Sequence, residues 1–180
     1  MRLRRLLAAP LIVLLLAAVA ACGDDEVASP FADCSSLSSA GAAPNDLPDL
    51  SLPCFTGDTS VSLRALKGPA VINMWASWCG PCRAELPVMQ KLSDTGTVTV
   101  IGVDTGDSRT DGADFASAKG VTMPTLFDAD QKLVHKLERI NLPVTVFLDA
   151  DGKSTTHILP LDAATLAQQV DKLFGVKVAL

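Results

Sequence analysis

The sequence has no excess of positive charge. Fifteen Lys and Arg stand against 20 Asp and Glu, a net −5 with a pI near 4.9. That excludes the basic face with which a nucleic-acid binder meets phosphate. Cysteine is sparse, at five in 180 residues, too few for a disulfide-dense miniprotein. Histidine is sparser. His135 and His157 stand alone on different elements, so a zinc site built on any cysteine pair lacks its remaining ligands. No apolar run reaches the ~20 residues of a membrane-spanning helix. No internal repeat is visible. What is present is 48% hydrophobic residues, too many for a disordered chain, in a length that allows one domain, or one domain and a tail.

Much of the mean hydropathy of +0.32 comes from one end. Arg2, Arg4 and Arg5 form a basic start, Leu6–Ala18 is uncharged and mostly apolar, and Val19-Ala20-Ala21 precedes Cys22. A basic region, a short apolar region and small residues before a cut are the pattern of a secretory signal. With Cys22 directly behind them, the small residues resemble the lipobox of bacterial lipoproteins, in which that Cys is lipidated and becomes the first residue. Ordinary secretion and an uncleaved anchor are the alternatives. All three put the rest of the chain outside the cytoplasm. Removing residues 1–21 takes away three basic residues and leaves 12 against 20 acidic ones, a net −8.

Residues 22–45 are rich in Ala, Ser, Asp, Gly and Pro and read as a flexible tether. A single domain is expected over 46–180. Alternation at Leu50–Leu52 and Ser60–Leu63 around Gly57-Asp58 predicts an N-terminal β-hairpin. Ala70–Trp75, Val98–Val103 and Val144–Leu148 read as buried strands, and Lys153–Leu159 as a strand entered by a turn at Ala150-Asp151-Gly152. Helical spacing predicts helices over Pro81–Leu92, with a kink at Pro87, and over Asp111–Lys119, Gln131–Glu138 and Ala163–Phe174. Gly120 and Gly175 are stops and Asp162 is a cap. The fold class is α/β, a central mixed sheet with helices on both faces, in which Ala70–Trp75 and Val98–Val103 are parallel.

The chemistry-bearing segment is Trp75-Ala76-Ser77-Trp78-Cys79-Gly80-Pro81-Cys82-Arg83-Ala84-Glu85-Leu86-Pro87. A strand runs into a Cys-x-x-Cys that opens a helix. Unpaired backbone N–H groups and the positive end of the helix dipole favour a thiolate at Cys79, so its pKa falls and it becomes both nucleophile and leaving group. Pro81 suits the first helical turn. Cys82 is then the recessed, resolving thiol. Half a zinc site and a purely structural disulfide are the bland alternatives.

This segment resembles the thioredoxin superfamily, and within it the TlpA, ResA and DsbE branch of extracytoplasmic, membrane-tethered thiol–disulfide oxidoreductases. The resemblance covers roughly residues 46–175. It implies a thioredoxin-like fold with an inserted helix, and no cofactor beyond a redox-active disulfide. Asn73 stands where thioredoxin carries a buried Asp, and Glu85 matches the branch's acid three residues after the second Cys. Glu85 serves either as proton carrier for the dithiol or only as a complement to the helix dipole. The family also requires a cis-proline facing the dithiol. Pro124 and Pro143 are both candidates, and only Pro143 leads into a strand and hairpin as the pattern asks. Leu142 before it and Trp78 beside Cys79 are the expected substrate contacts.

Cys34 and Cys54 remain, and in an oxidising compartment they are expected to pair as a structural bridge. An accessory redox pair and free thiols are the alternatives. The resemblance implies a monomeric protein-disulfide reductase on the outer face of a bacterial membrane. It would be fed by a CcdA- or DsbD-like membrane donor and act on oxidised protein thiols such as apocytochrome c. The competing functions are a disulfide-forming oxidase, a peroxiredoxin-like thiol peroxidase and, outside catalysis, a copper-assembly lipoprotein.

Overall fold

In the run Ala70-Val71-Ile72-Asn73-Met74-Trp75 every residue is buried, because both faces of this strand are covered. The computed structural model describes residues 28–37 and 44–180; the expected signal segment and Cys22 lie outside the described residues. Its strands are β1 (Ser51–Pro53), β2 (Ser60–Ser62), β3 (Ala70–Trp75), β4 (Thr99–Thr105), β5 (Thr125–Asp128), β6 (Val144–Leu148) and β7 (Ser154–His157). Its helices are α1 (Gly80–Asp94), α2 (Arg109–Lys119), α3 (Lys132–Lys136) and α4 (Ala163–Phe174). Strands β1 and β2 form the expected antiparallel hairpin. The other five make one mixed sheet in the order β5-β4-β3-β6-β7, with β3, β4 and β5 parallel and β6 and β7 antiparallel.

The sheet separates two cores. One contains Val71, Trp75 and Phe147 under Leu86 and Met89 of α1, Phe115 and Ala116 of α2, and Leu166 and Val170 of α4. The other contains Ile72, Met74, Ile101 and Val146 under the hairpin and Leu133 and Val134 of α3. Alternate residues of β3 thus feed opposite cores, the period-2 consequence of a pleated strand. Helix ends follow local chemistry. Ser108 and Asp162 accept the N–H groups of Asp111 and Thr165, and Gly120 and Gly175 close α2 and α4 at positive φ.

Some boundaries differ from the sequence reading. Helix α2 begins at Arg109 rather than Asp111, because Ser108 caps it. Helix α3 is one short turn, Lys132–Lys136, inside the expected Gln131–Glu138, since Gln131 and Glu138 both sit at positive φ. The last strand stops at His157. The packed domain also starts before residue 46. Phe31, Cys34 and Leu37 are buried, and the Phe31 ring lies 4.8 Å from Phe55 and 6.1 Å from Trp75. Three apolar residues spaced by three are diluted in a Ser- and Ala-rich average, which is why composition assigned them to the tether.

A candidate redox site at the end of the central strand

Strand β3 ends at Trp75 and delivers the chain, through Ala76-Ser77-Trp78, to the first turn of α1. Cys79 is the N-cap of that helix, and its Sγ accepts the Cys82 N–H at 3.3 Å. Cys79 and Cys82 are joined in a disulfide with their Cα atoms 5.3 Å apart. Cys79 is 4% exposed and Cys82 1%, so Cys79 is the sulfur nearer to solvent. The backbone N–H aimed at Sγ and the helix dipole both favour a thiolate there when the bond is open.

Beneath the dithiol the structure gathers polar groups from four elements. Glu85 of α1 is 2% exposed. Its Oε1 accepts the Leu161 N–H at 3.2 Å, from the loop before α4, and the Thr145 hydroxyl of β6 at 3.5 Å. Thr145 in turn accepts from Asn73 Nδ2 at 3.0 Å. Glu85 Oε2 and Asn73 Oδ1 are buried without partners among the described residues. Burial pushes the Glu85 carboxyl up to about 7, against the opposing pull of its bonds to Leu161, Asn73 and Thr145. Glu85 lies beyond the first turn of α1, which holds no acid, and it is buried rather than in water. His157 is half-buried opposite Thr145, with its Nε2 buried and unpartnered among the described residues.

The peptide bond Leu142–Pro143 is cis, and that before Pro124 is not among the cis bonds of the described residues. Val144, directly after Pro143, pairs with Met74 in antiparallel register. Pro143 therefore lies at the end of the sheet where β3 turns into the dithiol. Leu142 packs against the core that contains both cysteines. Trp78 is 60% exposed, with Nε1 donating to the Gly106 carbonyl at 2.9 Å. Ile140, Ile158 and Leu159 are exposed apolar residues on the segments entering β6 and leaving β7. Cys34 and Cys54 lie elsewhere, joined in a second disulfide that ties residues 28–37 to the hairpin, Cα–Cα 5.9 Å. Among the described residues no group of three or more His, Cys, Asp or Glu is placed to hold a metal ion, and no helix is long and apolar enough to cross a membrane.

Two acids at this end of the sheet have no counterpart in the sequence reading. Asp107 follows β4 and accepts both the backbone N–H of Ser77 and, at 3.0 Å, its hydroxyl. Asp104, within β4, is fully buried, and neither carboxyl oxygen has a hydrogen-bond partner among the described residues. Burial, followed by the neighbouring Asp107 carboxylate, pushes Asp104 up to about 9. The only sequence signal was an Asp inside an otherwise apolar strand, and Val103-Asp104-Thr105-Gly106-Asp107 reads equally well as a polar turn.

Residues 44–155 match the AhpC/TSA family. The chain is 29% identical over 144 residues to the thiol-disulfide oxidoreductase ResA of Bacillus subtilis (strain 168), covering 78% of each chain. It is 34% identical over 107 residues to the thiol:disulfide interchange protein DsbE of Pseudomonas fluorescens biotype C, covering 58% of this chain and 60% of that one. Among solved structures it is similar to a secreted Mycobacterium tuberculosis disulfide oxidoreductase described as homologous to E. coli DsbE. The identity there is 25% and the TM-score 0.63, over 69% of this chain and 96% of that one. The fold is thioredoxin-like.

Proposed function

The chain belongs to the AhpC/TSA family, and from that premise we propose that this thiol–disulfide oxidoreductase is a protein-disulfide reductase, held by lipid on Cys22 at the outer face of a bacterial membrane. The observation that carries the chemistry is the seating of Cys79 at the N-terminus of α1, with Cys82 behind it and a buried carboxyl three residues further on. In the reduced protein the Cys79 thiolate attacks one sulfur of a substrate disulfide. A Cys79–substrate bond forms and the other substrate sulfur leaves as a thiolate, which takes up a proton. Cys82 then passes its proton toward Glu85 and attacks the Cys79 sulfur. The Cys79–Cys82 bond closes and the second substrate sulfur departs as a thiolate, which takes up the proton left with Glu85. The substrate gains two electrons from the dithiol and two protons, one from Cys82 by way of Glu85 and one from solvent, where Cys79 left its own on becoming a thiolate. Trp78, Leu142 and the backbone beside Pro143 hold the substrate segment. No cofactor beyond the dithiol is needed. A membrane dithiol donor of the CcdA or DsbD kind restores the reduced state, and oxidised apocytochrome c is a fitting substrate.

Gly80-Pro81 between the cysteines, as in thioredoxin, supports the reducing direction. Equilibration with glutathione buffers tests it. A potential nearer to about −270 mV than to about −120 mV is expected of a reductant, and one near the upper figure would turn the reading toward the oxidase. Fatty-acid labelling tests the anchor: label is expected on the native chain and not on Cys22→Ser, and an unlabelled native chain would remove it. The peroxidase alternative lacks the Thr it needs three residues before the reactive Cys, where Ala76 stands. Arg83, moreover, is engaged with the Ser77 carbonyl at 2.8 Å and the Phe115 ring at 4.4 Å.

Glu85→Gln is expected to slow exchange and to flatten its pH dependence around neutrality, because Gln keeps the size and loses the titration. Stability provides a second readout. Glu85 has a folded-state pKa raised from 4.5 to about 7, so the folded protein binds this proton more tightly than the unfolded chain. Its contribution is present below about 4.5 and lost as the pH rises to about 7. Denaturant titrations should show that loss in the native protein and not in Glu85→Gln. An unchanged rate profile would leave Glu85 outside the reaction.

A further inference from the structure

The exchange reaction leaves Asp104 unused, although it is fully buried and lies beneath the loop that carries Cys79. In β4 it is in register with Trp75 on one side and Phe127 on the other, neither of which can pair with a carboxyl. Across from it, α2 presents Gly112, and a Cβ there would overlap the Asp104 carboxylate. The helix is built around this acid. A buried carboxyl that no N–H or hydroxyl donor among the described residues reaches calls for an explanation. The charged groups facing it are Asp107 from the loop after β4, and Arg109 and Asp111 from the first turn of α2. Of these, Asp107 is the one that bears on it as a side-chain hydrogen-bond partner, and two carboxyls can pair in that way only when one of them keeps its proton.

Asp107 is also the hub of the redox loop. It holds Ser77 by backbone N–H and by hydroxyl, and it accepts the Ser108 N–H at 3.0 Å. Gly106, its neighbour, holds the Trp78 indole. The two residues immediately before Cys79 are thus clasped by the two residues that follow Thr105.

We propose that Asp104 is a positioning residue for the dithiol: its buried carboxyl donates one shared proton to Asp107, and that proton keeps Asp107 clamped on Ser77 and the Cys79 loop in place. A carboxylic acid donates to a carboxylate when protonated and repels it when ionised. Burial and the Asp107 charge, only partly offset by Arg109, hold this proton on Asp104 up to about pH 9. Above that, two negative charges face each other under Ser77 and the clasp loosens. The inference deepens the oxidoreductase reading and rests on Cys79 being the attacking thiol.

The test is the rate of Cys79 alkylation by iodoacetamide in the reduced protein, from pH 5 to 10.5. Titrations of Cys79 and Glu85 fall below the free-thiol value of ~8.5. A separate departure from that curve is expected at about pH 9, changing the rate about fivefold or more, the size of an ordinary coupling between linked sites. Asp104→Asn keeps a donor to Asp107 and cannot ionise, so its curve should lack the upper step and keep the lower one. Asp107 is half-exposed, so Asp107→Asn tolerates folding. It removes the charge that an ionised Asp104 repels, so the upper step should shrink or vanish. A native curve without an upper step, an upper step surviving in Asp104→Asn, or one undiminished in Asp107→Asn would each overturn the proposal. Cycling in glutathione buffers tests the parent reading separately. A dithiol that does not cycle refutes the oxidoreductase, while a cycling dithiol with a single-step curve refutes the Asp104 role alone.

Discussion

A Cys82→Ala variant loses turnover by roughly 10³-fold or more, as removal of one member of a catalytic unit does, and accumulates as a mixed disulfide through Cys79. The expectation follows from the order of the two sulfurs. Cys79 is the N-cap, receives the Cys82 N–H and is the more exposed of the pair. It attacks first, and without Cys82 nothing inside the molecule displaces the attached substrate. Non-reducing electrophoresis of the variant with a disulfide-bearing protein should show a covalent adduct that dithiothreitol dissolves. Cys79→Ala should show none, with equally low turnover. If Cys79→Ala forms the adduct and Cys82→Ala does not, the roles are exchanged. If neither does, exchange does not run through this dithiol.

Removing the other disulfide acts on stability rather than on turnover. The Cys34–Cys54 bridge closes a loop with a sequence separation of 20, and chain entropy values such a closure at about 3 kcal/mol. For a domain of this size that is a fall in Tm of roughly 6–12 °C. The double variant Cys34→Ala, Cys54→Ala should show it in thermal unfolding, while the exchange rate of Cys79–Cys82 at 25 °C stays near native. A loss under about 1 kcal/mol would mean that Phe31, Leu37 and their contacts hold the segment without the bridge. A large drop in exchange at full folding would make the pair an accessory redox couple. Graded dithiothreitol should open Cys79–Cys82 first, because structural disulfides resist reduction better than catalytic ones.

Strand β3 and helix α4 were legible to the residue, because an unbroken apolar run and an Asp-to-Gly bracket are local signals. The dithiol was legible for the same reason: strand, cysteines and helix are contiguous. Glu85 was nameable from its offset to Cys82. Its burial was not, since that depends on Thr145 and Leu161, which arrive from 60 and 76 residues away. Asp104 and Asp107 were beyond reach altogether. Whether an Asp in a valine-rich strand faces solvent is decided by β5 pairing alongside and by α2 folding back over it. The packing of Phe31 was hidden similarly, because its partners Phe55 and Trp75 lie in other elements.

Strand β5 ends the sheet on one side, and an outer strand turns a row of unpaired backbone groups toward whatever passes. Here that row is partly occupied. Cys54 bridges Leu126, and the Phe55 N–H reaches the Thr125 carbonyl at 2.8 Å. The opposite outer strand, β7, is four residues long and carries Ser, Thr, Thr and His, a poor template for a neighbour. The cover on β5 is the more consequential of the two, because the strand beneath it is apolar and buried at Leu126. Cys54 is the residue that makes the cover, and Cys34 is what fastens Cys54. Reducing that bond therefore does more than relax a loop. It removes one fastening of the cover over Thr125–Asp128 and leaves the backbone bonds of Cys54 and Phe55 to hold it there. In a chain with a redox dithiol at one end of the sheet, the cover on the sheet's outer strand is itself fastened by a disulfide.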